Sequence, residues 1–221
     1  VLLLVPAWGC SKQAKQETLL VAGSSTIMPY MEKLKAGFAK THPNYIIEAQ
    51  GGGSTAGLIA VRRGAIDLAT MSREVRRDED DPYTRDYLVG KDAVAIVVHP
   101  ANPVANLSKE QLRGIFDGSI ANWRQVGGED APILVVGRKA GSTTRKAVDE
   151  MVLDGLDFAK SAINDESAEA VAKRVAANPS AIGYLALKDL QKTVRTVDVA
   201  GVPVARETIL SGRYLLSRDF Y

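Results

Sequence analysis

The sequence predicts an α/β protein of two lobes joined by a hinge of two crossing strands, and three observations predict it. Residues 18–70 read strand, helix, strand, helix, strand, the order of a doubly wound parallel unit. Each of those strands runs into a turn of glycine or short hydroxyl residues. Two further apolar runs, residues 92–98 (DAVAIVV) and 181–186 (AIGYLA), bracket a compact α/β segment, as strands carrying the chain out of one lobe and back would do. The expected division is a tether at 1–17, a first lobe of 18–94 plus 182–221, and a second lobe of 95–181.

In chain order, residues 19–22 (LLVA) read as a strand and lead through Gly23-Ser-Ser-Thr26 to a helical pattern from about Pro29 to Phe38. Pro43 ends that helix because it has no N–H to continue the ladder. Residues 45–49 (YIIEA) form the next strand, followed by Gly51-Gly-Gly-Ser54 and a helix from Leu58 to Arg62. Residues 66–70 (IDLAT) lead to Met71-Ser72-Arg73. Pro100 and Pro103 stop the strand at 92–98, and Ser108 caps a helix that Asp117-Gly118 closes. Residues 133–136 (ILVV) read as a buried strand, 146–152 as a helix, and 167–177 as a helix closed by Asn178-Pro179.

The fullest turn is Arg138-Lys-Ala-Gly-Ser-Thr-Thr-Arg145. A strand that enters a glycine-hydroxyl turn and then a helix gathers backbone N–H groups, the positive helix end and hydroxyls at one point, which attracts an oxyanion. Ser/Thr capping explains the same hydroxyls at any one turn, Ser54 included. Four such turns change that balance, because ligands of open α/β sheets bind beyond the carboxyl ends of the strands. Arg138 supplies a planar fork suited to two oxygens, a geometry lysine cannot copy. A salt link to Asp67 is its structural alternative, and Arg145, one turn into the helix, is the alternative cation.

Composition excludes several classes. A chain of 221 residues with 46% hydrophobic and 24% charged residues is an ordinary globular one, and a net charge of +2 without a basic aromatic stripe does not suit nucleic acid. The mixed-sign run at 73–81 (REVRRDEDD) reads as a solvated loop or helix start. His42 and His99 each precede a proline and are far apart, which suits loop positions better than a metal pair or a general base. The Gly51-to-Gly57 spacing has one residue too many for a dinucleotide fingerprint, and Gly137-Arg-Lys-Ala-Gly141 lacks the Gly-Lys-Ser/Thr ending of a P-loop. We therefore expect no cofactor, no metal and no enzymatic role.

Residues 1–10 (VLLLVPAWGC) read as the end of an apolar targeting segment, followed by a polar stretch at 11–17. They resemble the lipobox of bacterial lipoproteins, with Ala7 where leucine is usual and Trp8 close before the cysteine. That resemblance implies acylation of Cys10, a lipid anchor, and a place in the periplasm or on the outer face of the cell membrane.

Taken together, Gly23-Ser-Ser-Thr26, Gly51-Gly-Gly-Ser54, Ile66-Asp-Leu with Ser72-Arg73, residues 114–123 (GIFDGSIANW), Arg138 with Gly141-Ser142 and Thr144-Arg145, Ile182-Gly-Tyr184 and residues 211–218 (SGRYLLSR) resemble, in order, the phosphate-binding proteins of bacterial ABC importers. The resemblance runs from about residue 18 to the end. It implies a periplasmic-binding-protein-like (type II) fold, capture of inorganic phosphate in a closed cleft, delivery to a membrane permease, and a monomer. The binding residues it implies are Ser25, Thr26, Ser54, Ser72 and Arg73, with Arg138, Gly141, Ser142, Thr143 and Thr144. Ser72 and Ala140 stand where that family commonly carries acidic residues. An acceptor-only carboxylate favours hydrogenphosphate, which has a proton to donate, over sulfate, which has none. Hydroxyls both donate and accept, so another tetrahedral oxyanion such as sulfate or molybdate is the alternative ligand, and a serine-dependent hydrolase the more distant one.

Overall fold

The computed structural model describes residues 16–221, and Cys10 lies outside them. The chain is α/β throughout and divides into two compact units, one comprising the chain up to Ser72 with Arg76–Arg85, the other Arg73–Val75 with Asp86–Tyr221.

The first unit is β1 (Glu17–Gly23), α1 (Met28–Thr41), β2 (Tyr45–Gly51), α2 (Ser54–Arg62) and β3 (Leu68–Thr70). Its strands are parallel in the order β2-β1-β3. Gly23 is in register with Gly51 on one side and Thr70 on the other, so all three strands end at one level. Gly57 brings α2 onto β1. A Cβ at that position would fall 2.7 Å from both the Ala22 carbonyl oxygen and the Gly23 Cα. His42, the residue before Pro43, caps the C-terminal end of α1, its N–H donating to Phe38 O.

The second unit is built on β4 (Gly90–Val98). Residues 93–98 are all at most 2% exposed, as a strand covered on both faces requires. Val94, Ile96 and Val98 face a core containing Leu112, Phe116, Trp123 and Tyr184, whereas Ala95 and Val97 face Val136, Val171, Val175 and Leu185. The remaining elements are β5 (Asn106–Leu107), α3 (Lys109–Asp117), β6 (Leu134–Arg138), α4 (Thr143–Val148), β7 (Ile163–Asp165), α5 (Ala168–Ala177), β8 (Ala181–Ala186), β9 (Arg195–Val199), α6 (Arg206–Leu210) and β10 (Ser217–Phe220). The sheet order is β5-β9-β4-β8-β6-β7, with β10 paired to β4.

The expected division assigned residues 182–221 to the lobe of 18–94, and the structure groups them differently. β8 lies between β4 and β6, while β9 and β10 each pair antiparallel with β4. Residues 86–94 and 182–221 therefore share the second unit with 95–181. Both expected crossing strands, now β4 and β8, are antiparallel neighbours there. Among the described residues no helix is long and apolar enough to cross a membrane.

Candidate oxyanion-binding site

In the first unit the level strand ends put their turns side by side, and the hydroxyls connect. The Ser24 hydroxyl donates to the Ser72 hydroxyl at 2.9 Å. Ser72 N–H donates to the Ser54 hydroxyl at 3.2 Å, and Thr26 N–H to the Ser24 hydroxyl at 3.3 Å. The N-cap position of α2 is held by Gly53 at φ +101°, and Ser54 is the first helical residue after it. The capping explanation of Ser54 therefore falls, since its oxygen serves the third turn. Ser25 is exposed, and its Oγ lies 2.8 Å from where a Cβ on Gly51 would be.

The amides of the second turn are not all open. Gly52 and Gly53 N–H both donate to the Gly23 carbonyl at 2.7 Å, which fixes the turn but uses those two donors. Two residues the sequence reading left out belong to this cluster. Ser24 is 3% exposed and joins two turns, and Thr70, 6% exposed, carries a buried hydroxyl with no hydrogen-bond partner among the described residues. Ser24 was legible as a hydroxyl in the first turn; only the register of Gly23 with Thr70 reveals Thr70.

In the second unit Arg138 ends β6. Its guanidinium meets no carboxylate among the described residues: Nη2 donates to the Glu166 carbonyl oxygen at 2.9 Å, and Nε is buried without a partner. Asp67, the expected alternative partner, instead accepts from Leu20 N–H at 2.8 Å in the first unit. Gly141, at φ +90°, turns the chain into Ser142, whose hydroxyl caps α4 by accepting from Arg145 N–H at 3.3 Å. Thr143 and Thr144 follow as the first helical residues, whose N–H groups have no intrahelical acceptor. α4 runs only to Val148 before a π-helical turn at Asp149–Leu153, so the helix expected at 146–152 starts three residues earlier and changes pitch midway. Arg73 Nη1 donates to the neighbouring Glu74 carbonyl at 2.9 Å.

Asp165 stands in register with Arg138, yet its carboxylate turns to Arg174 in a two-point pair, Nε to Oδ2 at 2.8 Å and Nη2 to Oδ1 at 2.9 Å. The hydrogen bond to Arg174 holds the Asp165 carboxyl below the usual carboxylate range. A depressed carboxyl contributes stability that is present above its ordinary pKa and is lost as pH falls through its folded value. Arg174→Met is therefore expected to move the onset of acid unfolding, followed by circular dichroism, upward toward the ordinary aspartate range of about 4. Because the Arg174 side chain is 43% exposed, the stability change stays below about 1 kcal/mol.

A two-unit α/β fold whose strand-end turns carry hydroxyls and an arginine defines the class. Residues 11–221 match the PBP superfamily domain, and the chain belongs to that family. It is 32% identical over 200 residues to the phosphate-binding protein PstS of Bacillus subtilis, an alignment covering 89% of this chain and 66% of that protein. With PstS of Staphylococcus haemolyticus the identity is 30%, over 90% of this chain and 68% of the other. Among solved structures it is similar to an ABC-type phosphate transport receptor from Vibrio cholerae, with 33% identity, a TM-score of 0.80, and coverage of 91% of this chain and 84% of that one.

Proposed function

We propose that this chain is an extracytoplasmic solute-binding protein that captures inorganic phosphate and delivers it to an ABC permease, anchored through Cys10. The residues assigned to the anion are Ser25, Thr26, Ser54, Ser72, Arg73, Arg138, Gly141, Ser142, Thr143 and Thr144. The observation that carries this reading is the buried Nε of Arg138, without a hydrogen-bond partner among the described residues, at the head of a glycine-hydroxyl turn. Neutral dipoles can hold a dianion because hydrogen bonds to a charged acceptor are about twice as strong as neutral ones. The names of the Bacillus, Staphylococcus and Vibrio relatives support phosphate as the anion.

A hydrolytic role has less support. His42 stacks on Phe38, and His99 Nδ1 accepts from Ala101 N–H, while Ser54 and Ser142 accept from backbone amides. A second reading, a less selective tetrahedral-oxyanion binder, is favoured by one observation: Ser72, already accepting from Ser24, has its own O–H to donate where a carboxylate could only accept.

The test is calorimetric titration of ligand-stripped protein with phosphate, sulfate and molybdate. Phosphate is expected to bind, and at a hundredfold excess over Kd to stabilise the fold by about 2.7 kcal/mol, read as a higher unfolding midpoint. Binding of sulfate or molybdate as tightly as phosphate would favour the second reading, and no response to any of the three would remove both.

A further inference from the structure

Arg145, a candidate anion ligand by sequence, is engaged elsewhere through Nη1 and the face of its guanidinium. Its Nη1 donates to the Arg138 carbonyl at 2.9 Å and to Asn164 Oδ1 at 2.7 Å. Its guanidinium carbon lies 4.2 Å from the centroid of the Phe158 ring, within the range of an attractive cation–π contact. The amide of Arg138 is held as well, its N–H donating to the Tyr184 hydroxyl at 3.0 Å. Tyr184 is buried and packs against Phe116 and Phe158, so it is a rigid acceptor. Gly137 makes room for the assembly: a Cβ there would meet Asn164 Oδ1 at 3.0 Å and the Tyr184 hydroxyl at 3.1 Å.

We propose that Arg145 is a positioning residue that, with Tyr184, clamps the backbone of Arg138 and so fixes where its guanidinium points, without touching the anion itself. This rests on the phosphate reading above. The physical reason is preorganisation. An arginine has several rotatable bonds, and a strand end whose carbonyl and amide are both held by rigid partners leaves only the side chain to order when the anion arrives. The stacked, two-acceptor geometry is one a guanidinium provides and an ammonium does not.

The test is a double-mutant cycle read by phosphate calorimetry, with the unfolding midpoint of each variant measured without phosphate. Arg145→Met is expected to raise Kd about tenfold and Arg138→Met about a hundredfold, whereas the double variant is no weaker than Arg138→Met alone, because a residue acting through Arg138 has nothing left to act on. A purely structural contribution would lower the midpoint and leave the two losses multiplicative. Asn164→Ala removes an exposed acceptor of the same guanidinium and is expected to raise Kd in the same direction and to lose its effect in the Arg138→Met background. It decides the question if Arg145→Met does not fold. Multiplicative losses, or an Asn164→Ala variant with unchanged affinity, overturn the clamp while leaving the phosphate reading intact. Failure of the unaltered protein to bind phosphate removes that reading and the clamp with it.

Discussion

Replacing Arg138 by lysine is expected to weaken phosphate binding by an order of magnitude or more without lowering the stability of the protein in the absence of phosphate. The two halves of this prediction come from the same atom. Nε of Arg138 is buried and has no partner among the described residues. Leaving a buried donor unsatisfied costs about 1–3 kcal/mol, more for a charged group, and an incoming anion relieves that cost by accepting the bond. Lysine places a methylene where Nε stands, so both the cost and its relief disappear. What the ammonium keeps is a point charge at the end of a flexible stem, and losing one fork donor to a charged acceptor, worth about 1.5–3 kcal/mol, lowers affinity roughly tenfold or more at about 1.4 kcal/mol per tenfold. Nη2 is already committed to the Glu166 carbonyl, and the adjacent Lys139 pairs with the Glu166 carboxylate. Calorimetry on the unaltered and substituted proteins, with thermal unfolding of each ligand-free form, checks both halves. Unchanged affinity would place Arg138 outside the site.

The parts of the fold legible in the sequence are those where one local signal suffices. β1, β2, β4, β6 and β8 are apolar runs closed by glycine, proline or polar turns, and α3 carries the serine cap expected at Ser108, while Ser167, read as the first helical residue, proves to cap α5. The strands that escaped are those whose residues alternate with charge or are very short. β9 (RTVDV) and β10 (SRDF) are half polar, and they become strands only because β4 offers them a partner, with Arg218 meeting Asp92 across the pair. Since pairing partners distant in the chain are invisible to local pattern, the grouping of 182–221 went with them. At the site, residue types were legible and partnerships were not. Ser54, Ser72, Arg138 and Ser142 stand out as hydroxyls and a cation at strand ends. That Ser54 serves Ser72, that Gly23 consumes two amides of the glycine turn, and that Arg145 faces back onto Arg138 depend on register and side-chain direction.

Gly23→Ala is expected to cost about 3 kcal/mol or more and to unfold the first unit selectively. Gly23 sits at φ +150°, a backbone conformation side chains rarely adopt, and a Cβ there would lie 2.1 Å from the Thr70 carbonyl oxygen and 2.8 Å from its amide nitrogen and hydroxyl. The obstacle is backbone in the neighbouring strand, which cannot rotate away, so strain of about 1–3 kcal/mol from the conformation adds to an overpacking cost of similar size. Relief by displacement is blocked on every side. The Gly23 carbonyl takes two hydrogen bonds from Gly52 and Gly53, Ser24 N–H donates to Thr70 O, and a Cβ on Gly57 of α2 would fall 2.7 Å from the Gly23 Cα. Moving Gly23 would pull apart the level strand ends on which Ser24, Ser54 and Ser72 meet. The first unit can absorb little of this, because among the described residues its buried apolar ones are Val21, Ile27, Met31, Leu58 and Met71, whereas the second holds both extended core clusters. Amide hydrogen exchange is the discriminating measurement: protection over β1, β2 and β3 should fall in Gly23→Ala while β4 keeps its own. Gly52→Ala is the control, since a Cβ there meets nothing within 4 Å and Gly52 is not among the positive-φ glycines. Equal loss of protection in both variants would mean that the turn tolerates no side chain at all, and that the close approach of Gly23 to Thr70 is not what holds the strand ends level.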